Sequence, residues 1–504
     1  MNIGEWSCKR ARVWPDRLFL KQGDHCCTNR EFNDRVNRMA HALMARGIQK
    51  GDRVATLMVN CSAFLEIFFA CAKTGAIFVP VNHNLALPEL AHIIADCGPH
   101  VLIHSPCFSR VVEQLRTCGE PLKCYMQHAG EVSPAASGFD DLADPRTVSE
   151  PAITWTVTLE DPLLIMFTSG TTGRLKGAVL SHGNFLFGAV QNLHSYSIDA
   201  TFASLVVAPL FHIGALVASA TPVIYAGGRL VIRDFDNPSE IIHLIVREKI
   251  NYMFAVPVMY KMISKAPAWE DADFSHVHYF IAGGAPMPVP LIRQYQEEKG
   301  VRFVQGYGMT ETLRISSLDL EDARRKAGSI GKELFHTWIR IVNDDGRELP
   351  AEATGEILVK GPTVFSRYWN NPEATAEALR DGWFHTGDLG RRDAEGYIYI
   401  VGRKNDLIIC AGENIYAAEV EHAIEALEPV AEAAVVGLPD ATRGEVAAAF
   451  VVLKAPGSLT AEDLAAALKS RLAAYKIPRK IVFVEALPKT GSGKINKNEL
   501  KGKK

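Results

Sequence analysis

The sequence predicts an α/β protein in two parts. A large N-terminal domain of mixed α/β subdomains carries mostly parallel sheets, and a small α+β domain follows it. Three observations carry that expectation. The first 120 residues alternate helical and strand patterns at the spacing of βαβ units. A break at Gly402-Arg403-Lys404-Asn405-Asp406 precedes about 100 residues with a compact pattern of their own, enough for a small domain. At 504 residues the chain also exceeds what one core organises. Domains are therefore expected at 1–402 and 403–504.

Each element has a local reason. Thr28-x-x-Glu31 reads as a capping box opening a helix. Val36, Met39, Ala40 and Leu43 then recur on one face, and Gly47 can end it. Val54–Met58 and Ala76–Val81 are short apolar strands, with a helix over Ala63–Lys73 between them. Ser133–Thr158, rich in Ala, Pro and Asp, reads as a connecting loop. Leu163–Phe167 reads as a buried strand, and Thr354–Val359 and Gly396–Val401 as further strands. Beyond the break come a helix near Ala418–Leu427 and strands Ala431–Val436 and Val446–Leu453. A last helix starts at Thr460, with a cap-like Asp463 and Leu464, Leu468 and Leu472 on one face.

Composition narrows the class. Hydrophobic residues at 48% and charged ones at 22% are globular values, which sets aside a disordered chain. Met1–Trp6 has no basic segment followed by an apolar one, so no signal peptide is expected and a cytoplasmic location follows. Leu205–Gly228 carries no Asp, Glu, Lys or Arg, but Pro209, His212, Gly214 and Pro222 make it a core segment broken by a functional loop rather than a membrane span. Nine of the ten cysteines precede residue 125 without a C-x-x-C pair, which leaves zinc unsupported. Net charge is −3, yet residues 469–504 hold eleven Lys or Arg against Glu485 and Glu499. That basic tail favours phosphates or, weakly, an acidic membrane surface. Nucleic acid is disfavoured, because aromatics are not interleaved with the basic residues. A homo-oligomer is compatible with the sequence.

The run Thr168-Ser169-Gly170-Thr171-Thr172-Gly173-Arg174-Leu175-Lys176-Gly177 carries the most chemistry. Glycines let backbone N–H groups turn toward an anion, hydroxyls add donors, and lysine adds charge, so a polyphosphate is the natural ligand. A kinase-type P-loop needs G-x-x-x-x-G-K-[ST]. Here Lys176 is followed by Gly177, and the spacing fails. Five more segments accompany the run: Pro209-Leu210-Phe211-His212; Ala282-Gly283-Gly284-Ala285-Pro286; Gln305-Gly306-Tyr307-Gly308-Met309-Thr310-Glu311; Trp383-Phe384-His385-Thr386-Gly387-Asp388; and Pro488-Lys489-Thr490-Gly491-Ser492-Gly493-Lys494-Ile495. Alone, each has a plain reading as a turn, a core residue or a solvated tail.

Together, in this order and over almost the whole chain, the six segments resemble the acyl-adenylate-forming superfamily. The chain looks closest to bacterial fatty-acyl-CoA synthetases, through Gly402-Arg403-x-x-Asp406 and Gly412-Glu413-Asn414-Ile415-Tyr416. The resemblance implies an acid–thiol ligase using ATP, Mg2+ and coenzyme A, with a C-terminal domain that moves. It implies that Thr168, Ser169, Gly170, Thr171, Thr172, Gly173 and Lys176 hold the β and γ phosphates. Tyr307 would stack on adenine beside Gly284, Ala285 and Pro286, with Gln305, Gly306, Gly308 and Met309 in the same nucleotide segment. Thr310 would contact the α-phosphate, Glu311 with Thr168 would hold the metal, and Asp388 and Arg403 would bind the ribose. Lys494 would bridge the carboxylate and the α-phosphate, His212 would gate the acyl tunnel, and Ala411, Gly412 and Glu413 would face coenzyme A. Asn405 stands at the hinge position, where many relatives carry Asp or Lys.

For the acid, the resemblance makes a medium- or long-chain fatty acid the first expectation. An aryl or dicarboxylic acid is the alternative, as is delivery of the acyl-adenylate to a carrier protein. Gly308 stands where acetate-specific relatives look to have an indole, so a deep pocket is expected. Phe211, His212, Ile213, Gly214, Val256, Pro257, Gly283, Gly308 and Met309 would line it. Arg314 is less usual there. It is expected either to reach a second polar group on the acid or to lie on the outside of its loop.

Overall fold

The computed structural model describes residues 2–118, 124–127, 137–138, 147–169, 175–285, 287–410, 413–440, 444–469, 471–472, 474–490 and 494–502. By backbone contacts the chain divides into two compact units, Met1–Ile339 with Val359–Phe384, and Arg340–Leu358 with His385–Lys504.

The large unit is built on two sheets. A nine-stranded sheet runs in the order Lys332–Glu333, Leu313–Leu318, Phe303–Met309, Tyr279–Ala282, Tyr252–Ala255, Ala203–Val206, Arg229–Ile232, Leu18–Gln22, His25–Thr28. From Phe303–Met309 to Leu18–Gln22 neighbouring strands are parallel, and the two ends are antiparallel. The strand order turns at Ala203–Val206, which lies between the next strand in the chain and the one after it. Loops leaving such a point diverge and open a crevice at the carboxyl ends of the strands. An eight-stranded sheet carries Pro162–Ser169 parallel to Ile77–Pro80 and antiparallel to Leu175–Ser181, with Arg367–Tyr368 on its edge.

Most local expectations hold, although the last helix ends at Lys469 and leaves Leu472 beyond it. Helix Asn29–Ala45 starts at the Thr28 capping box, where the Glu31 N–H donates to Thr28 Oγ1 at 3.3 Å and the Thr28 N–H to Glu31 Oε2 at 2.7 Å. Strands Arg53–Leu57 and Ile77–Pro80 flank helix Ser62–Thr74, which is buried along its whole length. Of the expected connecting loop, residues 147–158 carry no regular element, and Ser137–Gly138 is a short edge strand beside Cys124–Gln127. Leu205–Gly228 is core: a strand end, a π-helical turn Ala215–Ala220 and helix Thr221–Ala226. Among the described residues no helix is long and apolar enough to cross a membrane.

The second unit opens with strand segments at 340–342, 355–358, 385–392 and 398–403, the last two antiparallel. A 3-10 turn, Lys404–Asp406, leads into its second sheet, ordered Glu413–Tyr416, Leu407–Cys410, Gly444–Leu453, Val430–Asp440, with Lys480–Phe483 parallel to Gly444–Leu453. Helices Ala417–Glu425 and Ala461–Lys469 bury Val420, Ile424, Leu464 and Leu468 against it. The expected cap is present: the Asp463 N–H donates to Thr460 Oγ1 at 3.1 Å.

Candidate active site

In the large unit the predicted segments gather at strand ends. Phe211, His212, Ile213 and Gly214 follow Ala203–Val206, and Val256 and Pro257 follow Tyr252–Ala255. Gly283, Gly284 and Ala285 follow Tyr279–Ala282, and Gln305–Met309 is the end of its own strand. All therefore stand on the crevice side of the nine-stranded sheet. The Phe211 ring is buried and lies 4.7 Å, centroid to centroid, from both His83 and His212. Gly284 has φ +79°, a left-handed backbone that glycine adopts without steric cost.

Glu311 joins the two sheets. It follows Phe303–Met309 in one sheet, and its Oε1 accepts the Thr168 hydroxyl at 3.1 Å from the end of Pro162–Ser169 in the other. The Tyr368 hydroxyl donates to the same oxygen at 3.0 Å. Tyr368 comes from the edge strand Arg367–Tyr368, and the Lys176 Nζ lies 5.4 Å from the centroid of its ring. Burial, with Glu311 beside it, raises the Tyr368 pKa, so the hydroxyl keeps its proton and stays a donor. The backbone also pins the turn: the Phe365 N–H donates to the Glu311 carbonyl at 2.7 Å. A 6% exposed carboxylate held at one oxygen by two hydroxyls has lone pairs left for a cation. An all-oxygen donor set of this kind suits a hard ion such as Mg2+.

Ser169 lies on the same strand end as Thr168. Gly170, Thr171, Thr172, Gly173 and Pro286 lie outside the described residues, as do Ala411 and Gly412 of the second unit.

Gly308 answers to the backbone rather than to pocket depth. A bulge separates Tyr307 and Gly308, and a Cβ at Gly308 would collide with the Leu313 carbonyl oxygen across the strand pair. Leu313 itself sits at φ +54°. A side chain at 308 requires a different backbone, which is why glycine stands there. Arg314, opposite Gly308 in register, is not on the outside of a loop. It belongs to strand Leu313–Leu318, all six of whose residues are buried, and is 8% exposed.

In the second unit Asp388 and Arg403 are cross-strand neighbours, and Arg403 Nε lies 3.2 Å from Asp388 Oδ1. The pair is thus pre-set edge to edge. Beside it, Lys404 Nζ is 2.8 Å from Asp344 and 3.6 Å from Glu356, acids that raise its pKa and keep it charged. Asn405 sits in the 3-10 turn that follows, and Glu413 starts the strand Glu413–Tyr416. Lys494 is exposed; beside it Lys489 and Ile495 form an antiparallel bridge, and the Thr490 N–H donates to the Lys494 carbonyl at 2.7 Å.

Sequence reasoning missed three residues that the fold adds: Tyr368, Phe254, whose ring lies against Gly214 and Gly283, and Tyr196, whose ring lies under Arg314. Tyr368 is 57 residues from Glu311, and no spacing rule links them. Phe254 had a local signal, because it lies at the end of strand Tyr252–Ala255, two residues before Val256.

Comparison with known proteins matches this architecture along the chain. The profile described as AMP-binding enzyme matches residues 8–369, and that described as AMP-binding enzyme C-terminal domain matches residues 419–494. A feruloyl-CoA synthase of Amycolatopsis is 41% identical, over 99% of this chain and 98% of that protein. A long-chain-fatty-acid–CoA ligase of Mycobacterium tuberculosis is 38% identical over the same shares. The o-succinylbenzoate coenzyme A synthetase of Bacillus subtilis, solved with ATP and magnesium ion, has a TM-score of 0.88 and 33% identity, over 99% of each chain.

Proposed function

We propose, for a chain that belongs to the AMP-binding enzyme family and is an AMP-forming acid–CoA ligase using ATP, magnesium and coenzyme A, the following division of labour among its residues. The observation that carries it is the Thr168–Glu311–Tyr368 junction, which ties the phosphate-loop strand to the turn after the nucleotide strand.

Thr168, Ser169, Gly170, Thr171, Thr172, Gly173 and Lys176 bind the β and γ phosphates. Tyr307 stacks on adenine against Gly284, Ala285 and Pro286, and Asp388 with Arg403 binds the ribose hydroxyls. Glu311, with the Thr168 hydroxyl, would hold the Mg2+ whose charge offsets that of the phosphates. Adenylation sets one anion against another: a carboxylate oxygen attacks the α-phosphorus, and the bond to the bridging oxygen breaks to release pyrophosphate. Lys494, a compact ammonium, neutralises both anions as they approach, with Thr310 donating to the α-phosphate. In the second step the coenzyme A sulfur attacks the acyl carbonyl, the bond to AMP breaks, and the thiol proton leaves to solvent. Lys494 and coenzyme A need the same space. The piece from 403 onward therefore rotates at Asn405, and Ala411, Gly412 and Glu413 then face the thiol arm. His212 gates the entry of the acid.

An aromatic acid is the first reading for the substrate. The Phe254 ring packs where Gly214 and Gly283 lack side chains, and the similarity to a feruloyl-CoA synthase supports it. A medium- or long-chain fatty acid is the second, supported by the similarity to a long-chain-fatty-acid–CoA ligase.

The test is acid-dependent pyrophosphate release, with and without coenzyme A, across straight-chain, aromatic and dicarboxylic acids. AMP, pyrophosphate and thioester in equal amounts support the reading. An acyl-adenylate that never becomes a thioester points instead to a carrier-protein acceptor, and ADP release overturns the reading. Lys494→Ala is expected to lose about 10²–10³ in adenylation and far less in thioester formation from supplied acyl-adenylate. Asn405→Pro is expected to slow thioester formation more than adenylation. Equal losses in both steps would remove the hinge.

A further inference from the structure

Arg314 is a cation buried with nothing to hold. Its guanidinium lies over the Tyr196 ring, 3.6 Å from the centroid. Among the described residues Nε and both terminal nitrogens have no hydrogen-bond partner, and neither does the Tyr196 hydroxyl. The charge of Asp319 is felt at Arg314, but no hydrogen bond joins them. Leaving a buried charge without acceptors is costly, so a fold that does so has a use for the donors.

The surroundings say what the two groups lie beside. A Cβ at Gly306 would lie 3.0 Å from Arg314 Cδ and 3.2 Å from the Tyr196 hydroxyl. Gly306 is the second residue of the nucleotide strand segment. A Cβ at Gly283 would lie 3.5 Å from the Gly306 carbonyl and 2.9 Å from the Phe254 ring, and one at Gly214 would lie 2.8 Å from that ring. Gly214, Phe254, Gly283 and Gly306 are thus successive neighbours that lead from the His212 loop to Arg314 and Tyr196. Both orphaned groups at that end are donors, and they lack an acceptor.

We propose that Arg314 and Tyr196 form a polar subsite at the far end of the acyl groove. It takes an accepting oxygen, a carboxylate or a phenolic oxygen, carried by the acid at the end remote from the carboxyl that is activated. The proposal rests on the acid–CoA ligase reading and deepens it. It makes Arg314 a specificity residue: acids lacking that oxygen leave the guanidinium unpaired and are discriminated against.

The full-length enzyme, with ATP, Mg2+ and coenzyme A, is assayed by pyrophosphate release on matched acids. One set is 3-phenylpropanoate with its para-hydroxy and para-carboxy derivatives; the other is octanoate against octanedioate. The readout is the ratio of kcat/KM between matched acids within one enzyme, which does not depend on how much of a variant is folded. The native enzyme is expected to favour an oxygen-bearing acid by at least about tenfold, and the better of hydroxyl and carboxylate identifies the source. In Arg314→Met the ratio is expected to fall toward one, and in Tyr196→Phe to fall by a smaller factor. A native ratio near one, or an unchanged ratio in Arg314→Met, overturns the subsite while leaving the ligase reading intact. Absence of pyrophosphate with every acid overturns both.

Discussion

Arg10 and Arg314 are guanidiniums of one unit, 5% and 8% exposed, and the fold houses them in opposite ways. Arg10, on helix Glu5–Val13, donates to Asn29 Oδ1 at 2.7 Å, to the Ile224 carbonyl at 2.6 Å and to the Gly228 carbonyl at 2.8 Å. Lys73 nearby is treated alike, with Asn33, Asn37 and Glu150 around its Nζ. Arg314 has a ring beneath it and no acceptor among the described residues. Burial depresses both arginines to about 9, so both stay charged at neutral pH. Depth and charge are the same; only the partners differ. A cation with all its acceptors ties helices to one another and to the loops beside them, whereas one without them is kept for a ligand.

The largest effect is expected at Arg10. Arg10→Met strands three buried acceptors and is expected to cost about 3–5 kcal/mol in denaturant unfolding. A loss below about 1 kcal/mol would mean the bonds count for little. His182 shows a third way to bury a basic nitrogen: it sheds the proton. It is fully buried, the Ile3 N–H donates to its Nδ1 at 3.2 Å, and burial lowers its pKa to about 4. Between that value and about 6.5 the unfolded chain is protonated and the folded one is not. Its contribution to stability is therefore full above about 6.5 and declines as pH falls to about 4, by about 3 kcal/mol in all. Unfolding midpoints of native and His182→Asn protein, measured from pH 7 to 4, should show that slope only in the native chain.

Two hydroxyls sharpen the contrast at smaller scale. The Tyr279 hydroxyl donates to the Tyr196 carbonyl at 2.5 Å, so Tyr279→Phe is expected to cost about 1–2 kcal/mol. Arg314→Met, which removes an unpaired buried charge, is expected to leave stability unchanged or raise it by about 1 kcal/mol. Tyr196→Phe, losing a hydroxyl without a partner, is expected to stay within about 0.5 kcal/mol of native. A large loss in either variant would show that Arg314 and Tyr196 are structural after all.

Much of the fold was legible in the sequence because its signals are local. The Thr28 and Thr460 caps, the apolar faces of the helices and the strand before the phosphate run depend on residues at most a turn apart, and they appear where expected. The motif order was legible too, since six segments with the same chemical bias seldom align by chance. What escaped were the partners. That Tyr368 reaches Glu311, that Phe254 fills the space of two glycines, and that Gly308 faces a carbonyl all arise from packing between strands far apart in sequence.

Which chemistry this chain carries is written in its residues, because phosphate-cradling glycines, hydroxyls, a carboxylate and a lysine near the end are properties of residues and their order. Packing then selects which of those side chains are held and which are left open. Arg314 reads alike in the sequence whether it faces water or a groove. The bulge at Tyr307/Gly308 and the stack on Tyr196 place it inside, since burial and hydrogen-bond partnership belong to the packing of the sheet and not to any residue alone.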